Sequence, residues 1–466
     1  MFQITLDRSA GEGLARQLYR QFRRRVAEGL LAGGTKIPST RRLAEQLGVS
    51  RNVVLDAYDQ LLSEGYLEAR PGSGTYVSAG ACFRAQSRRN VTTMSSLPSV
   101  PRTTPGLIDF RTGVPKLSAL PVRELSAAFR SVFRDEPAQT FGYGDPAGNP
   151  AFRSAIADYL RRARDIECSP EDIVVTVGAA EALTLCAVVL GKRRASAIVE
   201  DPLHLHFRQT LETAGMRLLP VPVDESGLLT EFLPAAPEDA AFVFVTPSHQ
   251  FPFGGTLPIQ RRVVLAGYAE KTGCLIVEDD YDSEFRFEGS PVSSLRELCP
   301  ERTVYIGSFS KTLAPAFRTG YAVVPPELAG EFRDAKYALN NHTSGCDQPV
   351  LARLLESGVL ERHIADMKRI YRKNRSELLA SLEDCFPGSH RVATASAGLH
   401  AVVRFPGCAF DAATLAALER EGVRVYPVEA HAIRPGRYLE YVIMGYGNLD
   451  PGRIREGVAR LRRVIA

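Results

Sequence analysis

The stretch SFSKTLAPAFRTG, residues 308–320, comes directly after a short apolar run, residues 303–307, which predicts a buried β-strand. Lys311 therefore lies just beyond the carboxyl end of a strand, the place where open α/β sheets bind their ligands. Two hydroxyl groups and a guanidinium group, a set that suits a phosphate, come from Ser308, Ser310 and Arg318. The stretch predicts a phosphate-bearing ligand at the edge of an α/β sheet.

A second apolar run, residues 275–278, leads into Asp279, Asp280 and Tyr281. A carboxylate at that point can pair with a protonated pyridine nitrogen, and a phenol can hydrogen-bond a ring hydroxyl group. A Schiff-base lysine, an acid on a pyridinium and a phosphate clamp are what proteins contribute to pyridoxal 5′-phosphate (PLP) chemistry. Each feature alone is typical of a solvated lysine, a polar turn or a weak metal site. Together, in this order, they predict PLP as the cofactor.

Strand-length apolar runs alternate with helical patterns from residue 108 onward, which predicts a mostly parallel sheet covered on both faces. The runs are residues 173–177, 197–200, 242–246, 275–278, 303–307 and 321–324. A helical stretch then covers about 347–385, followed by strands at 400–405, 423–427 and 438–444. We expect residues 108–466 to form an α/β large domain with a smaller α+β C-terminal lobe, about 347–466.

Residues 1–78 predict three helices and a β-hairpin, the pattern of a winged helix-turn-helix. Leu14, Leu18, Phe22, Val26 and Leu30 recur every four residues, as on one face of a helix. A second helix, 40–47, is expected between an N-cap at Ser39 and a stop at Gly48, and a third runs from Ser50 to Gly65. Strands 66–69 and 75–78 enclose a turn, 70–74.

This head of the chain is basic, since residues 1–102 hold 15 Lys and Arg against 8 Asp and Glu. Arg51 and Asn52 open the third helix and suit guanine and adenine edges. The N-termini of the second and third helices, which carry Ser39, Arg41 and Ser50, suit the phosphates of a DNA backbone. The wing adds Arg70 and the small residues Gly72 and Gly74. These features predict binding to double-stranded DNA; the alternatives are a solvated basic surface or a helical protein-interaction domain.

Residues 79–107 are rich in Ser, Thr, Pro and Arg without periodicity, which predicts a linker between two domains. The eight cysteines form no CxxC motif or Cys/His cluster, so neither a disulfide scaffold nor a metal site is indicated. No apolar run approaches the ~20 residues of a membrane span, and no signal peptide is evident. We expect a soluble, cytoplasmic protein without membrane contact.

Whole motifs also resemble a known family. IPSTRRLAEQLGVSRNVVLDAYDQLLSEGYLEARPGSGTYV, residues 37–77, resembles the GntR-type winged helix. YGDPAG (143–148), VTPSHQFPFG (245–254), VEDDYDSEFRF (277–287) and GSFSKTLAPAFRTGY (307–321) resemble the MocR-type regulators. Those regulators join a GntR head to a PLP domain similar to fold-type I aminotransferases, and the resemblance covers nearly the whole chain.

The resemblance implies roles for individual residues. Lys311 would be the Schiff-base lysine, Asp279 would lie on the pyridinium and Tyr281 on the ring hydroxyl group. Ser308, Ser310 and Arg318 would be near the phosphate, with the amides of Gly178, Ala179 and Ala180. Tyr143 would reach the partner's phosphate across a homodimer interface. In the head, Arg41, Arg51, Asn52, Gly72 and Gly74 would contact DNA.

Three departures from the family pattern stand out. Ala180 and Glu181 replace residues that are usually Gln, so side-chain help to the phosphate is reduced. His204 replaces the aromatic residue expected near the PLP ring; the alternative is a partly buried loop histidine. The last strand ends at Met444 without the Arg that binds amino-acid carboxylates in relatives. Arg424, Arg434 and Arg437 are candidate substitutes that the sequence does not place.

The expected function is a PLP-dependent transcriptional regulator in which the aminotransferase-like domain senses an effector, either an amine or amino acid or PLP itself. Lys311 can still exchange with an incoming amine by transaldimination, and net transamination is expected to be weak or absent. The alternative is an active class I/II aminotransferase with an accessory DNA-binding head. A third hypothesis is a DNA-binding protein whose second domain only dimerises.

Overall fold

The computed structural model of the protein describes residues 4–81, 106–235, 239–288, 292–393 and 396–465. The chain splits into two compact units, Met1–Arg102 and Thr103–Ala466. Most of the segment predicted as a linker, residues 79–107, lies outside the described residues.

The first unit contains the predicted three helices and hairpin. Its elements are α1 (Leu14–Ala27), α2 (Thr40–Leu47), α3 (Arg51–Ser63) and the antiparallel pair β1 (Leu67–Arg70) and β2 (Gly74–Val77). Leu18, Phe22 and Val26 are fully buried in its core. Leu30 is the exception to the predicted stripe: α1 ends before it, and its side chain is 70% exposed.

The boundaries of α2 follow from capping, as predicted. The Ser39 hydroxyl group accepts a hydrogen bond from the Arg42 amide at 3.4 Å, and Gly48 ends the helix at a φ of 62°. Only glycine adopts that left-handed conformation without a steric cost, so the chain turns there and α3 begins three residues later. The turn sets the angle at which α3 leaves α2.

The second unit is larger and alternates helices with strands. Its helices are α4 (Val122–Asp135), α5 (Pro137–Phe141), α6 (Pro150–Arg164), α7 (Gly178–Leu190), α8 (Leu205–Thr213), α9 (Ile259–Thr272), α10 (Leu295–Leu298), α11 (Ala329–Asn340), α12 (Asp347–Glu356), α13 (Val359–Cys385), α14 (Ala412–Arg420) and α15 (Pro451–Ile465). Its strands are β3 (Ile108–Asp109), β4 (Ile173–Thr176), β5 (Ser196–Asp201), β6 (Arg217–Asp224), β7 (Gly227–Leu228), β8 (Ala240–Val245), β9 (Leu275–Asp280), β10 (Thr303–Ser308), β11 (Gly320–Val323), β12 (Arg391–Val392), β13 (His400–Arg404), β14 (Val423–Arg424), β15 (Tyr426–Pro427) and β16 (Tyr441–Gly445). No helix in the described residues combines the length and the apolar character that crossing a membrane requires.

The large sheet has the order β4-β11-β10-β9-β8-β5-β6-β7, and its pairs from β10 to β6 are parallel. Successive residues of β5 face opposite layers: Val199 packs in the cluster that includes α7, and Ile198 packs in the cluster that includes α9. The prediction of a mostly parallel sheet covered on both faces is confirmed.

The C-terminal lobe is built around the antiparallel sheet β12-β13-β16-β15 and the packed helices α13 and α15. Its core also takes in Ile108 and Phe110, because β3 pairs with β14. Helix α12 packs instead against α4 and α6 of the large lobe. The segment around residue 110 therefore connects the two lobes, and it reaches the candidate site described next.

Candidate functional site

One edge of the large sheet gathers the polar residues that the sequence singled out. Strands β5, β6, β8, β9 and β10 are parallel, and β4 runs the same way because β11 is antiparallel to both β4 and β10. The carboxyl ends of parallel strands meet at one edge, where α/β sheets bind ligands. Nine of the predicted cofactor residues line one cavity there: Ala179, Ala180, His204, Asp279, Tyr281, Ser308, Ser310, Lys311 and Arg318. The cavity holds about 940 Å³ of space, open solvent at its mouth included.

Lys311 extends into this cavity from the loop after β10. Its Nζ donates a hydrogen bond to the carbonyl oxygen of Gly113 at 2.8 Å. A Cβ atom at Gly113 would lie 2.6 Å from that Nζ, so a larger residue there would displace the lysine, and the φ of +64° at Gly113 also favours glycine. Burial lowers the pKa of Lys311, against the opposing effect of Asp282 and Asp279. A buried amine with a lowered pKa is the form in which lysine acts as a nucleophile.

Asp279 lies at the end of β9 with a carboxylate that lacks a partner. Its Oδ1 is buried and has no hydrogen-bond partner among the described residues. Burial, together with Asp280 and Asp282, raises the pKa of Asp279 well above its usual value. A buried acid of this kind is stabilised by a cationic donor placed beside it, which a protonated pyridine nitrogen is.

The residues next to Asp279 are held by other partners. Asp280 points to the opposite face of the strand and pairs with Arg164 at 2.6 Å, and Tyr305 donates a hydrogen bond to it at 2.7 Å. The Tyr281 hydroxyl group lies 2.8 Å from Nδ1 of His249, which also contacts Asp282 at 2.9 Å. Burial raises the pKa of Tyr281, so its phenol stays protonated. Of these three neighbouring residues, Asp279 is the one whose carboxylate lines the cavity with an oxygen that has no partner among the described residues.

His204 occupies the position expected for an aromatic residue near a cofactor ring. Its ring centroid lies 4.8 Å from Phe251, 5.4 Å from Phe207 and 5.5 Å from His431. Burial and the neighbouring His431 lower its pKa to about 3, so the imidazole is neutral at pH 7. Nδ1 of His204 is buried without a partner among the described residues, and the side chain lines the cavity. The ring can stack on a planar ligand without adding a charge.

The opposite end of the cavity suits a phosphate. Arg318 donates to the carbonyl oxygen of Val177 at 3.3 Å, and the Ser308 hydroxyl group accepts from the Ser310 amide at 3.1 Å. Gly178 starts α7 at a φ of +74°, and a Cβ atom there would lie 3.3 Å from the Arg318 guanidinium. Amides at a helix N-terminus favour an anion.

Glu181, one of the two residues noted as departures from the expected family pattern, holds this turn in place. Its Oε2 accepts from the Val177 amide and from Nζ of Lys336, each at 2.6 Å, and Asn340 donates to Oε1 at 2.5 Å. The Lys336 side chain is fully buried, and its burial lowers its pKa against the effect of Glu181. Lys336 thus neutralises a carboxylate that would otherwise repel a phosphate bound one helical turn away.

Tyr143 is not among the cavity residues. It is 90% exposed, and its ring packs edge-on against His342 with centroids 5.9 Å apart. Its predicted role concerns a second subunit, so that role stays a prediction.

The residues present fit PLP. The cavity contains a buried lysine, a buried carboxylate oxygen that has no partner among the described residues, and a helix N-terminus beside an arginine. When bound, PLP supplies an aldehyde that captures amines and an electron-withdrawing ring.

Several cavity residues were not singled out from the sequence. These are Thr112, Gly113, Glu200, Leu203, His206, Phe207, Phe244, Thr246, Phe251 and His400. Glu200 is buried, accepts a hydrogen bond from Thr246 at 2.6 Å and has a pKa raised by burial to about 7. Both residues stand at strand ends, a signal available in the sequence. Gly113 and His400 come from distant segments, and no local pattern marks them.

The winged helix presents its predicted DNA contacts to solvent. Ser39, Arg41, Ser50, Arg51, Asn52, Arg70, Gly72 and Gly74 are all exposed. The nearest carboxylate to Arg41 is Glu45 at 3.9 Å, and Arg51 makes only a 3.4 Å contact with Thr40. Arg70 pairs with Glu68 at 2.6 Å and lies over the Tyr76 ring. Arg41 and Arg51 are therefore the freest of the three arginines to bind DNA.

Two family models match the chain. The model for bacterial regulatory proteins of the gntR family matches residues 14–77, and the model for aminotransferase class I and II matches residues 105–438. Among solved structures, the kynurenine aminotransferase of Pyrococcus horikoshii, determined with PMP, is similar at a TM-score of 0.72 and 26% identity. The match covers 78% of this chain and 91% of that one.

Curated relatives match both units together. The probable rhizopine catabolism regulatory protein MocR of Rhizobium meliloti is 34% identical over 98% of this chain and 95% of its own length. The HTH-type pyridoxine biosynthesis transcriptional regulator PdxR of Corynebacterium glutamicum is 36% identical over 86% of this chain and 85% of its own. The order of the two domains is the same as the sequence motifs predicted.

Lys336→Met is expected to weaken PLP binding by roughly tenfold, about 1.4 kcal/mol, because it leaves the charge of Glu181 beside the phosphate. The double variant Lys336→Met/Glu181→Gln removes both charges and should recover most of the affinity. Titration of apoprotein with PLP, followed by absorbance, measures both. Arg193→Met is the control, because it breaks an exposed ion pair with Glu331, which lies on the same helix as Lys336, α11. Unchanged affinity in Lys336→Met contradicts the role given to the pair.

Arg51→Ala is expected to cost roughly 1–3 kcal/mol of operator binding and to relax base preference, because Arg51 opens the recognition helix. Arg41→Ala should weaken binding to all sequences alike and lower the salt slope by about 1. Electrophoretic or anisotropy titrations at several salt concentrations separate the two effects. Arg24→Ala removes an exposed arginine from α1 and should change neither. Full operator affinity in Arg51→Ala means that α3 is not the reading helix.

Proposed function

The chain belongs to the MocR-type transcriptional regulators, and we propose that PLP held at Lys311 lets it sense a small amine and change how its winged helix binds the operator. As a member of that family it is a PLP-dependent, DNA-binding regulator of transcription. The observation that carries the proposal is the single cavity in which Lys311, Asp279 and Arg318 meet, in a chain that also has a winged helix with free arginines.

Each end of the cavity has a role in this proposal. Asp279 would hold the pyridinium, Tyr281 would hold the ring hydroxyl group, and His204 would lie against the ring. Arg318 and the start of α7 would hold the phosphate. The Lys311 amine is the group that an incoming amine replaces, and its carbonyl partner at Gly113 keeps it oriented toward the cavity. Amine exchange would require only that the nitrogen of Lys311 and the nitrogen of the incoming amine both reach the aldehyde carbon of PLP, which this arrangement supports.

We further propose that the protein works as a homodimer. Exposed apolar side chains gather near Tyr143: Phe133 and Phe141 are 40% and 65% exposed, and their rings lie 5.3 Å apart. Exposed aromatic groups of this kind mark interaction surfaces. Two heads on one particle also add avidity for an operator with two half-sites. Tyr143 is then available to a second subunit's phosphate.

The alternative function, an active aminotransferase with a DNA-binding head, has the cofactor residues in its favour. It lacks an anchor for the substrate carboxylate at the end of β16. Ile443 there is fully buried in an apolar cluster with Phe251 and Val402, and Met444 is fully buried on the other face of the strand. Proton abstraction demands that the Cα–H bond be held in one orientation. We therefore propose amine sensing with little turnover.

The proposed function is tested by Lys311→Ala, which should lose the cofactor absorbance at about 420 nm and keep DNA binding while losing every response to amines. Borohydride reduction of the native protein, followed by peptide mass mapping, should place the pyridoxyl group on Lys311. Lys192→Ala, at an exposed lysine, is the matched control. A label on another lysine, or an amine response that survives in Lys311→Ala, contradicts the proposal.

Turnover decides between the two functions. Incubation with amino donors and a 2-oxo acid should give product far below the ~10 s⁻¹ typical of enzymes, since no anchor fixes the donor. Lys311→Ala sets the background of the assay. Sustained turnover near the enzymatic value establishes the aminotransferase function instead.

A further inference from the structure

Strand β16 lacks the arginine that the family pattern predicts, but another arginine, Arg111, packs its backbone against the end of this strand. Gly445, at the end of β16, donates its amide to the Phe110 carbonyl oxygen at 2.8 Å. A Cβ atom at Gly445 would lie 2.1 Å from the carbonyl oxygen of Arg111. The backbone of Arg111 is thus packed against the strand end where relatives carry their carboxylate-binding arginine.

Arg111 also adjoins cavity residues in the chain. The next two residues, Thr112 and Gly113, line it, and Gly113 accepts the hydrogen bond of Lys311. The charge of Arg111 is among the causes that lower the pKa of Lys311, ahead of Arg318, which itself lines the cavity. The position of Arg111 directly before Thr112 and Gly113 agrees with that effect, because both of those residues line the cavity.

The guanidinium group of Arg111 has no acid to neutralise it. It is exposed and makes no ion pair or side-chain hydrogen bond within the described part of the chain. The adjacent acid, Asp109, is engaged elsewhere: it accepts from the Tyr426 hydroxyl group at 2.9 Å and lies 3.7 Å from Arg424. An anion that enters the cavity can therefore bind Arg111 without first breaking an ion pair of that side chain.

The other candidate arginines are placed less well. Arg424 is bound by Glu419 at 2.7 Å as well as by Asp109. Arg434 donates to the Pro220 carbonyl oxygen at 3.3 Å. Arg437 is exposed, and its charge acts on Tyr438. None of the three is among the main charges that act on Lys311.

We propose that Arg111 binds the carboxylate of an amino-acid effector whose amino group reaches Lys311, and so replaces the arginine that β16 lacks. This inference rests on the proposed function and adds the effector's second functional group. An arginine on a loop binds a carboxylate bidentately, but it fixes the Cα–H bond less firmly than one on a strand. It thus gives affinity and selectivity without the orientation that turnover needs.

The test compares matched compounds on the PLP-loaded protein. Glycine, β-alanine, 4-aminobutanoate and 5-aminopentanoate are titrated against methylamine, ethylamine, propylamine and butylamine, and the cofactor absorbance is followed. At least one amino acid should bind about 10- to 100-fold more tightly than its amine, the range for a hydrogen-bonded charge. This comparison needs no variant. Equal responses of acid and amine overturn the inference and leave the proposed function standing.

Variants then assign the preference to a residue. Arg111→Gln should abolish the difference between acid and amine, Arg111→Lys should keep part of it, and Arg437→Gln should leave it unchanged. Each variant is first checked for full cofactor absorbance, which shows that the site is folded. A preference that survives in Arg111→Gln overturns the assignment. If no compound changes the cofactor absorbance, the role of Arg111 is overturned too. The proposed function is decided separately, by the effects of Lys311→Ala on the cofactor and on DNA binding.

Discussion

The parallel direction of the central strands is the constraint on which the site depends. Because β5, β8, β9 and β10 run the same way, their carboxyl ends deliver His204, Thr246, Asp279 and Lys311 to one edge of the sheet. Strand β4 adds the start of α7 at the same edge. Residues far apart in sequence are thereby brought within one cavity, and no loop has to cross the sheet to supply them.

Neighbouring residues hold most of the acids that are buried at that edge. The period-2 alternation of a strand turns Asp280 away from the cavity, toward Arg164 and Tyr305. Glu278 is likewise held by Ser294 at 2.5 Å. Asp279 lies on the face of the strand that lines the cavity and keeps a carboxylate oxygen without a partner among the described residues, so the alternation directs this acid toward a ligand. The same logic pairs Glu181 with Lys336 beside the proposed phosphate site.

Local patterns were sufficient to predict most of the helices and strands and the main candidate cofactor residues, because a strand end or a helix cap is determined by a few consecutive residues. Strand β6 was not predicted: Pro220 and Pro222 interrupt its pattern, and proline is tolerated there because β6 is bordered on one side only by the short β7. The contact between Gly113 and Lys311 joins residues 198 apart. Contacts of that range follow from the packing of the two lobes, which no local pattern encodes.

The apolar end of β16 distinguishes the proposed effector site from one in which this strand carries the arginine for a carboxylate. Ile443 fills a cluster with Phe251, Phe253 and Val428, so an arginine in its place would lose those contacts and bury a charge. A cation can still approach from the loop that follows β3, because that loop packs against Gly445 and continues into the acceptor of Lys311. The loop follows β3, which pairs with β14 of the C-terminal lobe, and it leads to the carbonyl oxygen that accepts from Lys311 of the large lobe. The proposed carboxylate contact therefore lies on the segment that connects the two lobes, whereas a residue of β16 belongs to one lobe alone.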